Sequence, residues 1–133
     1  MMTIELTLLG WTLVLALLQV LLPALLRNNE TGLAYNAGPR DESGPPVGIV
    51  TGRLRRAQAN LFETLPVFAA AVLIAHIAGR EGALTAWGTG LYLGARIVYV
   101  PLYAFGVPYL RSLVWLVSLA GVLMILAAVL GPA

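Results

Sequence analysis

One stretch of the sequence places guanidinium, amide and carboxylate groups at the spacing of a single helix face. The four residues are Arg53, Arg56, Asn60 and Glu63. At 100° per residue they fall within an arc of about 80°, while the segment continues into an apolar run. Arginine keeps its charge in any environment and presents a planar fork of donors that suits carboxylates. The face therefore indicates a site for an anionic polar molecule.

A second polar face lies later in the chain. Arg96, Tyr99 and Tyr103 share an arc of about 60°, and Arg111 follows a break at 106–108. The tyrosine hydroxyls add neutral donors and acceptors that can orient a ligand. Both faces lie in apolar segments, where each charge costs about 3 kcal/mol on insertion scales and persists by facing protein, water or a partner charge.

The balance of charge between the two faces favours a ligand. Together with Arg111 they carry four arginines against one carboxylate, that of Glu63. If Glu63 only neutralises Arg56 or Arg96 and joins two helices, positive charge is still in surplus. We therefore expect an anion-binding site, and the purely structural ion pair stays open as the alternative.

The composition places these residues in a membrane. Of the 133 residues, 59% are hydrophobic and 11% are charged, whereas soluble domains carry about 25% charged residues. The length suits one domain, residues 1–133. A net charge of +2, much of it inside apolar segments, argues against nucleic-acid binding. All eight basic residues of the Lys/Arg class are arginine. Selection for anion recognition and a GC-rich genome would each produce this bias, and both explanations stay open.

The cysteine and histidine counts exclude several kinds of site. The chain has no cysteine, which excludes disulfides, iron–sulfur clusters, thiolate zinc sites and a cysteine nucleophile. One histidine and six acidic residues argue against a conventional metal site. Any thiol chemistry must therefore use a sulfur that the substrate brings.

Hydropathy predicts an all-α integral membrane protein with a bundle of four transmembrane helices. About 20 apolar residues cross the hydrocarbon core, and the predicted spans lie at about 4–27, 52–78, 83–105 and 109–130. The polar segment from Arg27 to Thr51 is rich in glycine and proline, which predicts a loop.

Two further groups are predicted to have structural roles. His76 is expected near the outer surface with no acid nearby, as a packing or interfacial residue. Gly88, Gly90 and Gly94 are expected to allow close helix contact.

The distribution of arginine predicts the orientation. Basic residues concentrate around the first loop, with one more beside the third loop: Arg27, Arg40, Arg53, Arg55, Arg56 and Arg111. The second loop has only Arg80, so the positive-inside rule places loops one and three in the cytoplasm and both termini outside. The polar faces then lie toward the cytoplasm, in what we expect to be a bacterial inner membrane. A four-helix monomer would have difficulty shielding both faces from lipid, so we expect a homo-oligomer with sites between subunits.

The first polar face belongs to a motif that closely resembles the signature of the MAPEG family, membrane-associated proteins in eicosanoid and glutathione metabolism: Arg53-x-x-Arg56-Ala-Gln58-x-Asn60-x-x-Glu63-x-x-Pro66. The second face is similar to the third helix of the leukotriene C4 synthase and microsomal glutathione transferase branches: Arg96-x-x-Tyr99-x-x-x-Tyr103. The segment from Pro108 to Ser112 resembles the region that supplies the family's catalytic arginine. The resemblance covers most of the chain in helix count, length and loop order.

This resemblance implies a left-handed four-helix bundle assembled as a homotrimer, with glutathione between adjacent subunits toward the cytoplasm. It implies eight glutathione-binding residues: Arg53, Arg56, Gln58, Asn60, Glu63, Arg96, Tyr99 and Tyr103. Gln58 lies off the polar arc, so its role needs contact across a subunit boundary. Arg111 is implied as the catalytic residue that stabilises the thiolate, with an anchor at the head of the fourth span as the alternative. Arg27 stands where some members place a further arginine that contacts glutathione.

The resemblance implies a membrane-bound glutathione-dependent transferase or peroxidase. Glutathione would be the co-substrate, without a metal, and membrane lipids would surround a lipophilic electrophile whose identity the sequence leaves open, as it does the physiological thiol. A non-enzymatic lipid-binding scaffold of the same fold is the alternative. A small proton-coupled exporter also uses four helices and an intramembrane glutamate, but it predicts few arginines. The loop at 38–48 has no assigned counterpart in the family.

Overall fold

The computed structural model describes residues 1–42 and 44–132, so that Ser43 and Ala133 lie outside it. Four long helices correspond to the predicted spans, and a short one lies between the first two. In chain order they are α1 (Ile4–Thr31), α2 (Leu33–Ala37), α3 (Ile49–Ile77), α4 (Ala83–Ala104) and α5 (Pro108–Leu130). The described residues contain no strand, as the sequence predicts.

Three of these helices are long and apolar enough to cross a membrane: α1, α3 and α5. The protein is therefore an integral membrane protein. α4 has 22 residues, about the length of a span, but it is not among the three; it carries Arg96 and three tyrosines. The long helix that does not meet the hydropathy expected of a membrane span is thus the one that bears the second polar face.

The helices pack through stripes of small and apolar residues at helical spacing. On α3 the buried stripe includes Leu61, Phe68 and Val72, and the Phe68 ring stacks on Tyr92 of α4 at 3.9 Å between centroids. The polar arc of α3 lies about 80–160° around the helix from this stripe. Burial of the stripe therefore turns the polar arc away from the centre of the core. The core thereby fixes which way the arginines face.

Two glycines allow the backbones of α4 and α5 to touch. A Cβ on Gly88 would lie 2.6 Å from the Gly121 carbonyl oxygen, and one on Gly121 would lie 2.5 Å from that of Gly88. The predicted close contact is thus found at Gly88. At Gly90 the nearest atom is a Leu8 carbon at 4.0 Å, and at Gly94 none lies within 4 Å, so one protomer gives these two glycines no such contact.

The segment predicted as a loop contains more helix than the sequence indicates. α1 continues to Thr31, α2 follows, and α3 already begins at Ile49. A clamp explains the extension: Arg27 pairs with Glu30 at 2.9 Å and donates to the Pro45 carbonyl at 2.6 Å. Glu30 in turn accepts from the Thr51 hydroxyl at 2.6 Å. The bonds to Pro45 and Thr51 join the end of α1 to the start of α3, and no local signal predicts these two.

The opposite end of the bundle has its own polar contacts. The buried Glu5 carboxylate accepts from the Thr85 hydroxyl at 2.6 Å, and Arg80 donates to the Gly131 carbonyl at 3.0 Å. The prediction that His76 has no acid nearby is wrong, because its Nδ1 lies 3.1 Å from Glu81. The turn after α3 brings the carboxylate back to the ring. His76 still lies at the end away from the polar faces.

Candidate functional site

Three arginines from two helices surround one cavity at the end of the bundle where α4 turns into α5. The cavity, of about 220 Å³, is lined by Arg53, Arg56, Tyr103, Gly106, Val107, Pro108 and Arg111. No carboxylate is among these residues, so the cavity carries uncompensated positive charge. We call it the arginine cavity.

Tyr103 lies at the centre of this cluster. Its ring centroid is 4.6 Å from the guanidinium carbon of Arg111 and 5.8 Å from that of Arg56. Both distances lie in the range of cation–π attraction. The Tyr99 ring meets Tyr103 edge to face at 5.6 Å, which extends the aromatic wall toward the bundle centre. One aromatic side chain thus holds two like charges side by side.

Arg53 is fixed at the rim by the end of α4. Its guanidinium donates to the Ala104 carbonyl at 3.2 Å, where a helix C-terminus carries partial negative charge. Gly106 makes room for it: its φ is +72°, and a Cβ there would lie 2.8 Å from the guanidinium carbon. The turn between α4 and α5 therefore sets the position of this arginine.

Arg96 lies behind the cavity and is enclosed by protein. It is 0% exposed, donates to the Asn60 side-chain oxygen at 2.8 Å, and lies 4.3 Å from the Tyr99 ring centroid. Its Nε and Nη2 have no hydrogen-bond partner among the residues that the structure describes. Buried donors without acceptors are costly, so the site still needs an acceptor near Arg96.

The two remaining predicted site residues do not join the cavity. Glu63 is exposed on the protomer surface, and the ion pairs of the described residues do not include it. The ion pair between Glu63 and Arg56 or Arg96, which the sequence leaves open as the alternative, is therefore not formed within one protomer. Gln58 is half-buried and lies about 160° around α3 from Asn60, which leaves it on another side of the helix.

An apolar cavity lies beside the last turn of α4, and the sequence analysis missed it. Its volume is about 380 Å³, and its lining is Leu22, Leu26, Val50, Leu54, Val100, Pro101, Ala104 and Phe105. Ala104 belongs to this lining and also accepts the hydrogen bond from Arg53, so the two cavities are neighbours. Three helices form this cavity, and single-helix periodicity cannot predict such a space.

The first loop and the helix ends beside it form a second basic cavity that the sequence analysis also missed. It has a volume of about 300 Å³ and is lined by Ala24, Arg27, Asn28, Tyr35, Asn36, Arg40 and Arg55. Arg27 belongs to this cavity and not to the arginine cavity, which separates it from the other predicted contacts. The sequence feature that indicates this cavity is Arg55, an arginine near the start of α3 that falls outside the polar arc of that helix.

Comparison with known proteins gives one match. A family model described as "MAPEG family" matches residues 8–131. No curated protein and no solved structure matches the chain.

Proposed function

Because the chain belongs to the MAPEG family, we propose that it is a membrane-bound glutathione-dependent transferase or peroxidase that acts on lipophilic electrophiles. The observation that carries this proposal is the arginine cavity. Three arginines line this cavity together with Tyr103, with no carboxylate in the lining, so the cavity is suited to a ligand with several negative charges.

Glutathione matches the groups that the cavity offers. It carries two carboxylates, one ammonium and one thiol, and bidentate arginines suit carboxylates. We assign Arg53 and Arg56 to the carboxylates, because both line the cavity and Arg53 is already fixed by the Ala104 carbonyl. Glu63 suits the ammonium. Arg111 lies at the start of α5 and is the group assigned to the thiolate.

The residues behind the cavity complete the assignment. Tyr103 contributes its hydroxyl to the ligand, and Tyr99 contributes from deeper in the wall. Asn60 and Arg96 hold each other at 2.8 Å, and the unpartnered donors of Arg96 would be satisfied by a ligand carboxylate or by Glu63. Gln58 would reach the ligand of a neighbouring subunit.

A homotrimer would give Glu63 its place in the site. In one protomer Glu63 and Arg56 are exposed on a helix long and apolar enough to lie in a membrane, where unpaired charge is costly. A neighbouring subunit would cover this face and enclose the ligand between two copies. Most of the arginines gather at one end of the bundle, so by the positive-inside rule we expect that end in the cytoplasm and both termini outside. We expect the membrane to be a bacterial inner membrane.

The chemistry follows from the thiolate. A thiol with a pKa of about 8.5 ionises more readily beside a cation, and its proton passes to solvent. In conjugation the sulfur attacks an electrophilic carbon, a C–S bond forms, and the leaving group departs with its electron pair. In peroxide reduction the sulfur attacks one oxygen and the O–O bond breaks. The alkoxide takes a proton, and a second glutathione then converts the sulfenic acid to the disulfide with release of water.

The apolar cavity offers a place for the lipophilic reactant. It lies against the same turn of α4 as the hydrogen bond of Arg53, and three of its lining side chains, Leu22, Val50 and Phe105, are exposed on the protomer. A reactant that dissolves in the bilayer would be held near the thiolate without further catalytic groups.

Calorimetry followed by turnover tests the proposal. The purified protein should bind glutathione saturably in detergent and conjugate an aryl halide or reduce a lipid hydroperoxide, and its mass should equal three chains. Arg56→Gln should lose affinity, whereas Arg80→Gln, an equal change of charge at the opposite end, should not. Absence of saturable binding would overturn the assignment. Binding without any turnover would favour the lipid-binding scaffold.

A further inference from the structure

A buried amide in the middle of α1 lacks hydrogen-bond partners. Both polar atoms of the Gln19 side chain, Oε1 and Nε2, are buried and unpartnered among the residues that the structure describes, and the residue is 5% exposed. α1 is long and apolar enough to cross a membrane, and its buried stripe includes Gln19. The amide therefore faces protein, where neither lipid nor bulk solvent supplies a partner.

Pro23 removes a further hydrogen bond at the same residue. It is a buried proline inside α1, and proline has no N–H. The Gln19 carbonyl, four residues earlier, thus lacks the donor that a regular helix provides. One residue then presents three polar atoms to its surroundings, the backbone oxygen and the two side-chain atoms, and buried polar groups are costly unless they are hydrogen-bonded.

The nearest positions on the buried stripe of α1 offer no partner. Ala16 and Pro23, one turn on either side of Gln19, have no polar side-chain atom. The Thr12 hydroxyl, two turns away, already donates to the Leu8 carbonyl at 2.8 Å. The missing partner must be small enough for a closed interior and must both donate and accept hydrogen bonds. Water meets both requirements, and buried waters typically satisfy groups of this kind.

We propose that a water molecule is bound inside the bundle at Gln19, held by the side-chain amide and by the backbone carbonyl that Pro23 leaves free. The site is separate from the proposed glutathione site, because the lining of the arginine cavity includes neither residue. Helices bend at prolines and at inserted waters. Leu22 and Leu26 of the same helix line the apolar cavity, so the water fixes the angle at which this part of α1 meets that cavity.

Magnetisation transfer from water to side-chain amides in NMR spectra tests the proposal directly. The chain has two glutamines, Gln19 and Gln58, so protein labelled with 15N-glutamine and reconstituted in lipid gives two pairs of side-chain signals. Gln19→Met identifies the pair that belongs to Gln19. These amide protons should receive magnetisation from water although the residue lies in the interior of an apolar bundle. Absence of transfer to the Gln19 pair would overturn the proposal.

Thermal unfolding gives a second readout, because a bound water and a dry site predict opposite shifts. Gln19→Met keeps the approximate size and shape of the side chain and removes both polar atoms. If Gln19 holds a water, the melting temperature should fall, because the water loses a partner. If the site is dry, the melting temperature should rise, because an unpaired polar group leaves the interior. A rise would therefore contradict the proposal.

Pro23→Ala tests the part of the freed carbonyl. It restores an N–H for the Gln19 carbonyl, so Gln19→Met should lower the melting temperature less in the Pro23→Ala background than in the unmodified protein. The matched control is Pro66→Ala, which removes an exposed proline inside α3 and should leave the effect of Gln19→Met unchanged. Equal effects of Gln19→Met in all three backgrounds would show that the amide and the carbonyl share no water.

Discussion

Replacing Arg111 by alanine tests the proposed mechanism most directly. A thiolate about 4 Å from a guanidinium gains about 4 kcal/mol at an effective dielectric constant of about 20, which corresponds to about 3 pKa units. Arg111 is only half-buried and lines a cavity open to solvent, so screening reduces the effect to about 1.5 units. The pKa of bound glutathione should therefore rise from about 7 to about 8.5 in the variant.

This shift has a definite kinetic signature. At pH 7 the thiolate fraction should fall from about one half to about 3%, but a more basic thiolate attacks faster, by about 0.4–0.5 log units per pKa unit. Turnover at saturating glutathione should then fall about three-fold at pH 7 and exceed that of the unmodified protein above about pH 8. By linkage, the same shift weakens glutathione binding only about two-fold at pH 7.

The assay is a pH titration of the thiolate absorbance in the bound complex, together with a pH profile of turnover. Arg80→Ala is the control, because Arg80 lies at the opposite end and donates to the Gly131 carbonyl. If Arg111 is only an anchor at the head of α5, the variant should lose stability and keep the same thiol pKa. Equal thiolate fractions in the variant and the unmodified protein at matched saturation would refute the catalytic role.

Three other substitutions test separate parts of the site. Glu63→Gln should weaken glutathione binding about ten-fold, the cost of one charged hydrogen bond, and should leave the melting temperature unchanged; the reverse pattern in calorimetry and thermal unfolding would indicate a structural ion pair. Gly106→Ala should lower the free energy of unfolding by about 1–2 kcal/mol, because alanine is strained at this positive φ, and it should weaken glutathione binding. In the control Gly94→Ala the added Cβ would have no atom within 4 Å, so neither stability nor binding should fall. Val100→Trp should fill the apolar cavity and raise KM for the lipophilic substrate without changing glutathione affinity. The control Ile97→Trp, on the exposed face of α4, should leave this KM unchanged. Equal KM in both variants would contradict the role of the apolar cavity in substrate binding.

The parts of the site that depend on a single helix could be predicted from the sequence. Helical periodicity predicts Arg53 and Arg56 on one face of α3 and Tyr99 and Tyr103 on one face of α4, and the structure brings all four to the arginine cavity or its wall. Composition predicted the membrane, and the motifs predicted the family. Each of these features follows from residues close together in the chain, where spacing determines direction.

The parts that depend on packing between distant segments could not be predicted. The clamp between Arg27 and Glu30 uses proline carbonyls about twenty residues away, so a segment rich in glycine and proline was read as an extended loop. The apolar cavity requires three helices at fixed distances. The contact between His76 and Glu81 depends on how tightly the chain turns after α3. In each case the deciding interaction is set by tertiary structure, which local propensity does not contain.

The arginines differ in how their charge is compensated, and this difference identifies the ones that need a ligand. Arg27 has a carboxylate at 2.9 Å, and Arg53 has a helix C-terminus. Arg56 and Arg111 form no ion pair with the residues that the structure describes and lie against the face of Tyr103, an attraction of about 0.5–2 kcal/mol that is too weak to offset the cost of two like charges in one cavity. An anion bound in the cavity would offset this cost, so it should raise the melting temperature, and the stabilisation should keep growing as RT ln(1 + [L]/Kd) after the site is saturated.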